Sequence, residues 1–287
     1  NARYSNLNFS LSGGKDGSTY FLSMGYRNQQ NATPGNELKQ YTATLKYQTK
    51  LSEKVRLNTT ISPALMRREG LDNFAANAYL PPNISPYNAD GSFATFQNLF
   101  NPLAVLAQNE DKSQSITTNG QVDLQYDITP QLYVRTAVGG NFFQSKQEQY
   151  QSKDNGSGSN VGGRLRIYDR VTYNWTSFAQ VGYTPKLKND QRFLLLAGME
   201  LSDKYTSLLN GTGTGFSYDK IRELSLANVR TSASSKISDA TVSYYSQMNY
   251  DLRRKYYVTL SGRADQSSLF GGDKRMALNA AIGAGWN

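Results

Sequence analysis

The sequence has no cysteine and no histidine among its 287 residues. Thiolate chemistry, general-base catalysis by histidine, and the usual zinc, haem and iron–sulfur sites are therefore excluded. Carboxylates remain, but the adjacent pair Glu110 and Asp111 lies at a charged loop end rather than in a recognisable glycosidase pattern. We therefore expect no enzymatic activity, no catalytic residues, no metal site and no cofactor.

Long apolar runs are also missing, and the mean hydropathy is −0.60. No stretch reaches the roughly 18 apolar residues that a membrane-spanning helix needs, and apolar residues rarely recur with the period of an amphipathic helix. The chain is instead rich in aromatic residues, with 20 Tyr, 12 Phe and 2 Trp, and it contains 24 Gly. This composition favours strands and turns.

Positive charge exceeds negative charge, with 31 Lys and Arg against 22 Asp and Glu and a net charge of +9. The basic residues are scattered, and the densest runs are Arg67-Arg68 and Arg253-Arg254-Lys255. Nucleic-acid binding requires basic residues gathered on one face or in one run. We therefore expect no nucleic-acid partner.

Apolar and polar residues alternate with a period of two in many short segments. In the first, Leu7, Phe9 and Leu11 alternate with asparagine and serine. Such alternation is typical of a strand with one apolar and one polar face. Eleven strands are predicted, at residues 6–12, 20–27, 41–48, 55–62, 121–128, 132–142, 175–183, 193–201, 244–250, 256–260 and 278–286.

The connections between these strands alternate in length. Short turns are predicted at residues 13–18, 51–54, 128–131, 185–191 and 251–255, and long loops at residues 28–40, 63–114, 144–170, 202–240 and, more moderately, 266–275. Outer-membrane barrels have short periplasmic turns and long extracellular loops, and aromatic girdles border their apolar band. The pattern therefore favours an all-β transmembrane antiparallel barrel. A soluble all-β binding module, in which the apolar face would be a core, remains the alternative.

An odd number of strands does not form a closed bacterial barrel from one chain. Backbone groups at an open sheet edge also cannot be left unpaired in lipid. Residues 1–287 are therefore predicted to be part of a single larger barrel domain, or one contribution to a shared barrel.

Several elements occur in a characteristic order along the chain. These are Leu11-Ser12-Gly13-Gly14, Asn101-Pro102-Leu103, Ser243–Tyr250, Lys255–Ser261, Arg263-Ala264-Asp265 running on to Phe270-Gly271, and a final Gly285-Trp286. In this order they resemble the SusC/RagA type of TonB-dependent outer-membrane transporter of the Bacteroidetes. Gln247, Gln266 and Leu269 depart from the family pattern.

This resemblance implies a barrel of about twenty-two strands around an N-terminal plug. The chain would supply about eleven of these strands, and the plug and the C-terminal barrel strands would lie outside it. The implied function is active import of oligosaccharides or oligopeptides across the outer membrane of a Gram-negative, Bacteroidetes-like cell. The implied partners are outer-membrane lipid, a SusD-like surface lipoprotein that acts as a lid, and TonB-ExbB-ExbD through the missing N-terminal part. A barrel with adhesive or structural loops, without transport, is the alternative.

Two groups of residues are candidates for the functional site. Arg263 and Asp265 lie two apart on the polar face of a strand, so they either line a lumenal wall and brace a plug or form an ion-pair network that holds strand register. In the longest loop, five aromatic residues are predicted to contact the substrate or the lid: Tyr79, Tyr87, Phe93, Phe96 and Phe100. The alternative is that these residues pack the loop onto itself.

Local signals complete the prediction for the loops. Asn101 as N-cap and Pro102 at the first helical position predict a short helix through Leu106. The glycine-rich residues 154–160 and 211–215 are predicted to be flexible loops, and the latter lack the lysine and helix of a phosphate-binding loop.

Overall fold

A computed structural model describes residues 2–32, 35–71, 83–96, 101–188, 190–269 and 276–287. It contains one antiparallel sheet of eleven strands, hydrogen-bonded in chain order, so the predicted number of strands is confirmed. The strands are β1 (Arg3–Lys15), β2 (Ser18–Gln30), β3 (Glu37–Lys50), β4 (Val55–Glu69), β5 (Glu110–Thr129), β6 (Leu132–Gln151), β7 (Arg164–Tyr183), β8 (Gln191–Phe216), β9 (Ala227–Leu252), β10 (Tyr256–Ser267) and β11 (Met276–Trp286).

Helical structure in the described residues is limited to one short helix, α1 (Pro102–Gln108), and two single 3₁₀ turns, Ser159–Val161 and Leu224–Leu226. None of these helices is long and apolar enough to cross a membrane.

All short connections lie at one end of the sheet, because consecutive strands pair and run in opposite directions. The β1–β2 turn shows how the sequence makes such a connection. Asp16 and Gly17 both have positive φ, 53° and 81°, as a two-residue type I′ turn requires, and Asp-Gly is a preferred pair for it. The predicted placement of the short turns at one end is therefore confirmed, but the predicted long loop at residues 28–40 is wrong, since the β2–β3 connection covers only residues 31–36.

The long loops are shorter than predicted, because β6 to β9 continue well past the segments that alternate. The predicted loops at residues 144–170 and 202–240 are wrong: the connections cover only residues 152–163 and 217–226. In β6 and β8 the outer parts are mostly polar or glycine, so the sequence shows no sustained apolar period there, although Leu165, Ile167 and Val171 do alternate with polar residues in β7. The backbone ladder does not need that period, and β8 and β9 stay paired from Gln191–Leu252 to Phe216–Ala227.

The apolar side chains of the alternating segments form one exposed face, which we call the outer face. Phe9, Val138 and Tyr244 are 60%, 53% and 55% exposed, and the described residues contain no second sheet that covers them. The buried hydrophobic cluster of the described residues contains only Tyr150, Leu165, Phe216 and Ala227. A soluble sandwich buries the apolar faces of two sheets against each other. The described residues therefore do not form the two-sheet core that the soluble alternative predicts.

The opposite face, which we call the inner face, is polar. Asp123 and Ser243 on this face are 5% and 1% exposed, although no other layer of the sheet lies over them. Side chains crowd in this way on the concave side of a curved sheet and spread apart on its convex side. The sheet therefore curves toward its polar face, as in a barrel with a polar interior.

Aromatic residues mark both edges of the apolar band on the outer face. Tyr183 lies near the short turns, and Tyr173 lies ten residues away toward the long connections. At about 3.3 Å per residue and a tilt of about 40°, this separation spans about 25 Å, the height of the apolar band of an outer-membrane barrel. We call the paired residues Phe142, Tyr173 and Tyr205 the loop-side aromatic row.

Strands β6 to β9 continue well beyond the loop-side aromatic row, and β5 continues beside them through residues 110–117. The projecting residues, 143–151, 164–172, 206–216 and 227–237, form a continuous sheet that we call the extension. The extension carries the connections at residues 152–163 and 217–226, so it positions most of the candidate functional residues described below.

Candidate functional site

Arg263 and Asp265 lie together on the inner face, as their spacing predicted. The Arg263 Nε donates to Asp265 Oδ1 at 2.7 Å, and its Nη2 donates to Glu200 Oε1 at 2.8 Å and to Ser243 Oγ at 3.0 Å. One guanidinium thus joins three neighbouring strands, β8, β9 and β10. Ion pairs across strands favour one register, so these contacts support the register-holding interpretation of the pair.

Replacing Arg263 by glutamine is expected to lower the free energy of unfolding by about 1 kcal/mol, since it removes two partly exposed ion pairs and leaves two carboxylates close together. Urea unfolding of the full-length protein in detergent micelles measures this loss. Lys186→Gln in the short β7–β8 connection is the control, because this lysine has no ion pair with the described residues. Equal unfolding midpoints for the two variants would contradict the expected role.

Two other arginines on the inner face also form ion pairs, behind the apolar band of the outer face, which we call the membrane band. Arg135 Nε contacts Asp123 Oδ2 at 2.7 Å, and Arg56 Nη2 contacts Asp127 Oδ2 at 2.8 Å. An open hollow of about 590 Å³ on this face is lined by amide and hydroxyl residues, including Gln121, together with glycines and the aromatic residues Trp175 and Phe178. A wall of this kind offers hydrogen bonds to a polar solute or to other protein segments in the interior.

The predicted helix after Asn101 is confirmed. The Asn101 side chain accepts hydrogen bonds from the backbone N–H groups of Leu103 and Ala104, and Pro102 occupies the first helical position. The Asn101 Nδ2 also donates to the carbonyl oxygens of Pro86 at 2.7 Å and Ala94 at 2.9 Å. One buried asparagine therefore both caps α1 and holds the long β4–β5 connection against it.

Three of the five predicted aromatic contacts lie in described residues. Tyr87 and Phe93 stack with ring centroids 5.5 Å apart and form an isolated backbone bridge, and Tyr87 remains 47% exposed. Phe96 is partly buried three residues further on. Tyr79 and Phe100 lie outside the described residues. The stacked pair shows that this loop packs on itself, and contact with a substrate or lid stays a prediction.

Three connections meet on the outer face of the extension in a group that we call the outer loop cluster. Its centre is Arg222, whose guanidinium lies 4.3 Å from the centroid of the Tyr150 ring, contacts Glu110 and donates to the Gln108 carbonyl at 3.2 Å. The Tyr150 hydroxyl donates to Asp219. The β8–β9 connection is thus held to β6 and to the end of α1.

The β6–β7 connection belongs to the same cluster. Asn155, which is 3% exposed, donates through Nδ2 to Gln108 Oε1 and Asn109 Oδ1, both at 3.0 Å. Ser152 Oγ donates to Asp219 Oδ2 at 2.8 Å. Glycine-rich residues 154–160 are therefore hydrogen-bonded to α1 and its C-cap through Asn155, contrary to the prediction of a flexible loop.

The second predicted flexible loop, residues 211–215, is also wrong, since these residues form the end of β8. Gly211 and Gly213 point to the outer face, where the β8–β9 connection folds back over them. A Cβ on Gly211 would come within 2.7 Å of a Leu224 methyl group, and one on Gly213 within 2.7 Å of the Ala227 Cβ. The alternating glycines therefore provide the space in which Leu224 packs.

Two ionisable groups of the outer loop cluster are shifted by their surroundings. Burial and the hydrogen bond to Asp219 raise the pKa of the Tyr150 phenol far above its ordinary value. Burial tends to raise the pKa of Glu110, but hydrogen bonds and the positive charges of Lys112 and Arg222 outweigh it and lower that pKa. Near neutral pH, Tyr150 therefore stays protonated and Glu110 stays ionised, and these are the forms that make the hydrogen bonds of the cluster.

We expect Tyr150 to stabilise the cluster fully below about pH 10, the ordinary pKa of tyrosine, and less as the pH rises through its folded-state pKa. The tyrosinate absorbance band, compared between the unchanged protein and Tyr150→Phe, identifies this late titration. Asp219→Asn should move it to lower pH, because the carboxylate that opposes ionisation is gone. Titration of Tyr150 at an ordinary pH in the folded protein would contradict this arrangement.

Sequence reasoning missed the outer loop cluster. Tyr150 and Asp219 are 69 positions apart, and Glu110 and Arg222 are 112 positions apart. No local pattern connects such residues, because the contact arises only when two connections fold onto the same outer face. In the described part of the chain, no group of three or more His, Cys, Asp or Glu residues is placed to hold a metal ion.

The chain is similar in sequence to curated TonB-dependent receptors. Two from Formosa agariphila are 22% and 24% identical, each over 98% of this chain, and SusC of Bacteroides thetaiotaomicron is 28% identical over 65% of it. The chain spans 30%, 28% and 18% of the lengths of these three relatives. No family model matches the chain.

Solved structures show the same fold. The RagAB peptide importer in its open-open state matches 98% of this chain with a TM-score of 0.82 and 21% identity, and the match covers 33% of that chain. The ferric citrate transporter FecA matches 99% of this chain and 38% of its own, with a TM-score of 0.58 and 11% identity. In sequence and fold, this chain is therefore similar to part of the barrel of SusC/RagA-type TonB-dependent transporters, as its motifs predicted.

Proposed function

We propose that residues 1–287 form part of the single barrel domain of an outer-membrane, TonB-dependent importer of oligosaccharides or oligopeptides. The barrel acts as the SusC-like member of a SusCD-type complex. Its apolar outer face contacts outer-membrane lipid, and its polar inner face surrounds the path of the substrate. Energy for import comes from TonB-ExbB-ExbD, through a part of the protein outside this chain.

The single observation that carries the proposal is the division of one sheet into two unlike faces. Large apolar residues such as Phe9 and Val138 are exposed on the outer face, whereas Arg135, Asp123 and other charged groups are paired on the inner face. A wall with lipid on one side and a wet, occupied interior on the other needs this division. The similarity to SusC and to the RagAB peptide importer supports import over other uses of such a wall.

A SusD-like surface lipoprotein is the proposed lid. The outer loop cluster supports this part of the proposal, because Arg222 and Asn155 hold three extracellular connections together. A prearranged surface loses less conformational entropy when a partner docks. Tyr87, Phe93 and Phe96 are proposed contacts to the lid or the substrate, and Arg263 and Asp265 are proposed residues of the lumenal wall.

A barrel that anchors adhesive loops without transport is the second candidate. The same two-faced sheet suits it, and long extracellular connections such as residues 70–109 favour it. The two functions differ in one requirement, since only import consumes energy delivered by TonB.

Uptake measurements in a Gram-negative host that expresses the full-length protein and its lid lipoprotein test the proposal. Import predicts that labelled oligosaccharides or oligopeptides accumulate in the periplasm, and that accumulation stops when TonB is deleted or a protonophore is added. Surface binding without TonB-dependent accumulation would favour the adhesive barrel. Purification of the protein as a soluble species without detergent would contradict both.

A further inference from the structure

Net charge on the extension differs between its two faces. The inner face carries three arginines on β7, Arg164, Arg166 and Arg170, and no carboxylate. The outer face carries both signs, with carboxylates at Glu148 and Asp169. Side chains alternate between the faces of a strand, so the three arginines face the mouth of the proposed barrel together.

Unlike Arg56, Arg135 and Arg263, these three arginines have no acidic partner among the described residues. Arg56, Arg135 and Arg263 each contact a carboxylate. In the part of the chain that the structure describes, Arg166 and Arg170 form no ion pair, and Arg164 reaches only the Gln151 amide oxygen, at 3.4 Å. Their positive charge is therefore available to a ligand.

The nearest carboxylate on the inner face does not neutralise them. Asp111 on β5 lies two strands from β7 and accepts hydrogen bonds from Gln147 and Gln149, both at 2.9 Å. The Lys146–Glu148 ion pair lies on the outer face and is separated from the arginines by the sheet itself. An anion that approaches from the inner side therefore meets uncompensated guanidinium groups.

The surroundings of the arginines indicate the kind of anion. Arg166 pairs in register with Gln149 and Thr212, and Arg164 with Gln151 and Thr214, so amides and hydroxyls flank the arginines on both sides. Such groups both donate and accept hydrogen bonds, which suits the hydroxyls of a sugar. Tyr168 lies exposed between Arg166 and Arg170 and presents a ring to the same side.

A peptide ligand fits this surface less well than a sugar. β7 is paired along its whole length with β6 on one side and β8 on the other. It therefore has no free backbone edge to which a peptide strand can be added. Recognition must come from side chains alone, and these are cationic, amide and hydroxyl groups.

We propose that the inner face of β7 in the extension is a binding site for anionic oligosaccharides that carry carboxylate groups. Arg164 and Arg166 lie about 7 Å apart along the strand, and Arg170 lies about 13 Å beyond Arg166. Carboxylates spaced along an extended oligosaccharide contact successive guanidinium groups, each of which offers a two-pronged set of donors. This inference rests on the proposed import function and specifies the substrate class for it.

Binding of hexagalacturonate to the full-length protein in detergent, measured by calorimetry, tests the site. A neutral galactose hexamer and hexaglutamate are the comparison probes. We expect hexagalacturonate to bind most tightly, and the double variant Arg166→Gln, Arg170→Gln to bind it at least 10-fold more weakly, since each charge-assisted hydrogen bond contributes about 10-fold or more. The affinity of the unchanged protein should fall steeply with added salt.

Arg230→Gln is the matched control. Arg230 lies at the same level of the extension on the outer face of β9, so its loss removes one positive charge, as Arg166→Gln alone does, without changing the inner face. Arg166→Lys, Arg170→Lys keeps the charge but loses the two-pronged geometry, and should bind with intermediate affinity. Heat-modifiable migration in gels verifies that each variant is folded.

Three results would overturn the proposal: hexagalacturonate binding no tighter than the neutral hexamer, tighter binding of hexaglutamate, or equal binding by the double variant and Arg230→Gln. The uptake assay separates this failure from failure of the proposed function. TonB-dependent uptake of neutral and anionic oligosaccharides to the same level would reject only the anionic site. Arginine-dependent binding without TonB-dependent uptake would support the site and reject import.

Discussion

Replacing Val138 by arginine is expected to lower the free energy of unfolding of the full-length barrel by about 2–4 kcal/mol. Val138 lies on the outer face of β6, between the short β5–β6 turn and the loop-side aromatic row, and is 53% exposed. On a soluble surface, a valine-to-arginine change is usually nearly neutral. In lipid the guanidinium must be buried in hydrocarbon, and the cost is greatest near the middle of the bilayer. Urea unfolding in lipid vesicles measures the difference.

Gln121→Arg is the control for this prediction. Gln121 lies on the neighbouring strand β5 at nearly the same level of the sheet, and its side chain is on the inner face. An added charge there meets a polar interior, so the loss should be well below that of Val138→Arg. Similar losses for the two variants would show that lipid does not contact the outer face.

Truncating Tyr150 to alanine is expected to destabilise the outer loop cluster by about 3–5 kcal/mol, as for other large-to-small changes of buried aromatic residues. Tyr150 is 2% exposed, packs edge-on against Phe216 with centroids 5.8 Å apart, and supports the guanidinium of Arg222. Its loss removes these contacts and the hydrogen bond to Asp219 together. Hydrogen exchange of residues 152–163 and 217–226 should accelerate strongly.

The effect should remain local, since the strand pairing of the membrane band does not depend on this cluster. Exchange in β1 to β4 should therefore be unchanged. Tyr218→Ala is the matched control, because Tyr218 lies in the same β8–β9 connection but is 73% exposed. Slow exchange of both connections in Tyr150→Ala would show that Tyr150 does not hold the cluster together.

Within the membrane band, the strands and turns were predictable from the sequence because one environment repeats along each strand. Leu7, Phe9 and Leu11 alternate with polar residues since every second side chain faces the same apolar surroundings. Asp16-Gly17 is recognisable as a turn for an equally local reason, the positive φ that both residues adopt.

Outside the band, the same reasoning failed for a physical reason. The inner face of the extension is polar and its outer face is covered by folded connections, so residues such as Thr212 and Gly213 show no alternation although they are paired in a strand. The alternating glycines resemble a flexible loop in sequence, but the close packing of Leu224 requires them in a strand. The candidate site was likewise predictable only where it depends on local spacing. Arg263 and Asp265 share a face by spacing alone, whereas their contact with Glu200 depends on strand register.

The sequence by itself determined an up-and-down series of strands with one apolar face, short turns at one end and a resemblance to SusC/RagA-type transporters, because these features depend on local alternation and on short motifs. Only the tertiary structure decided that the apolar face stays uncovered in the described residues, that strands β6 to β9 continue beyond the aromatic row, and that Arg222 and Asn155 join three connections. These features depend on which distant segments meet, and strand pairing and curvature of the whole sheet set those meetings.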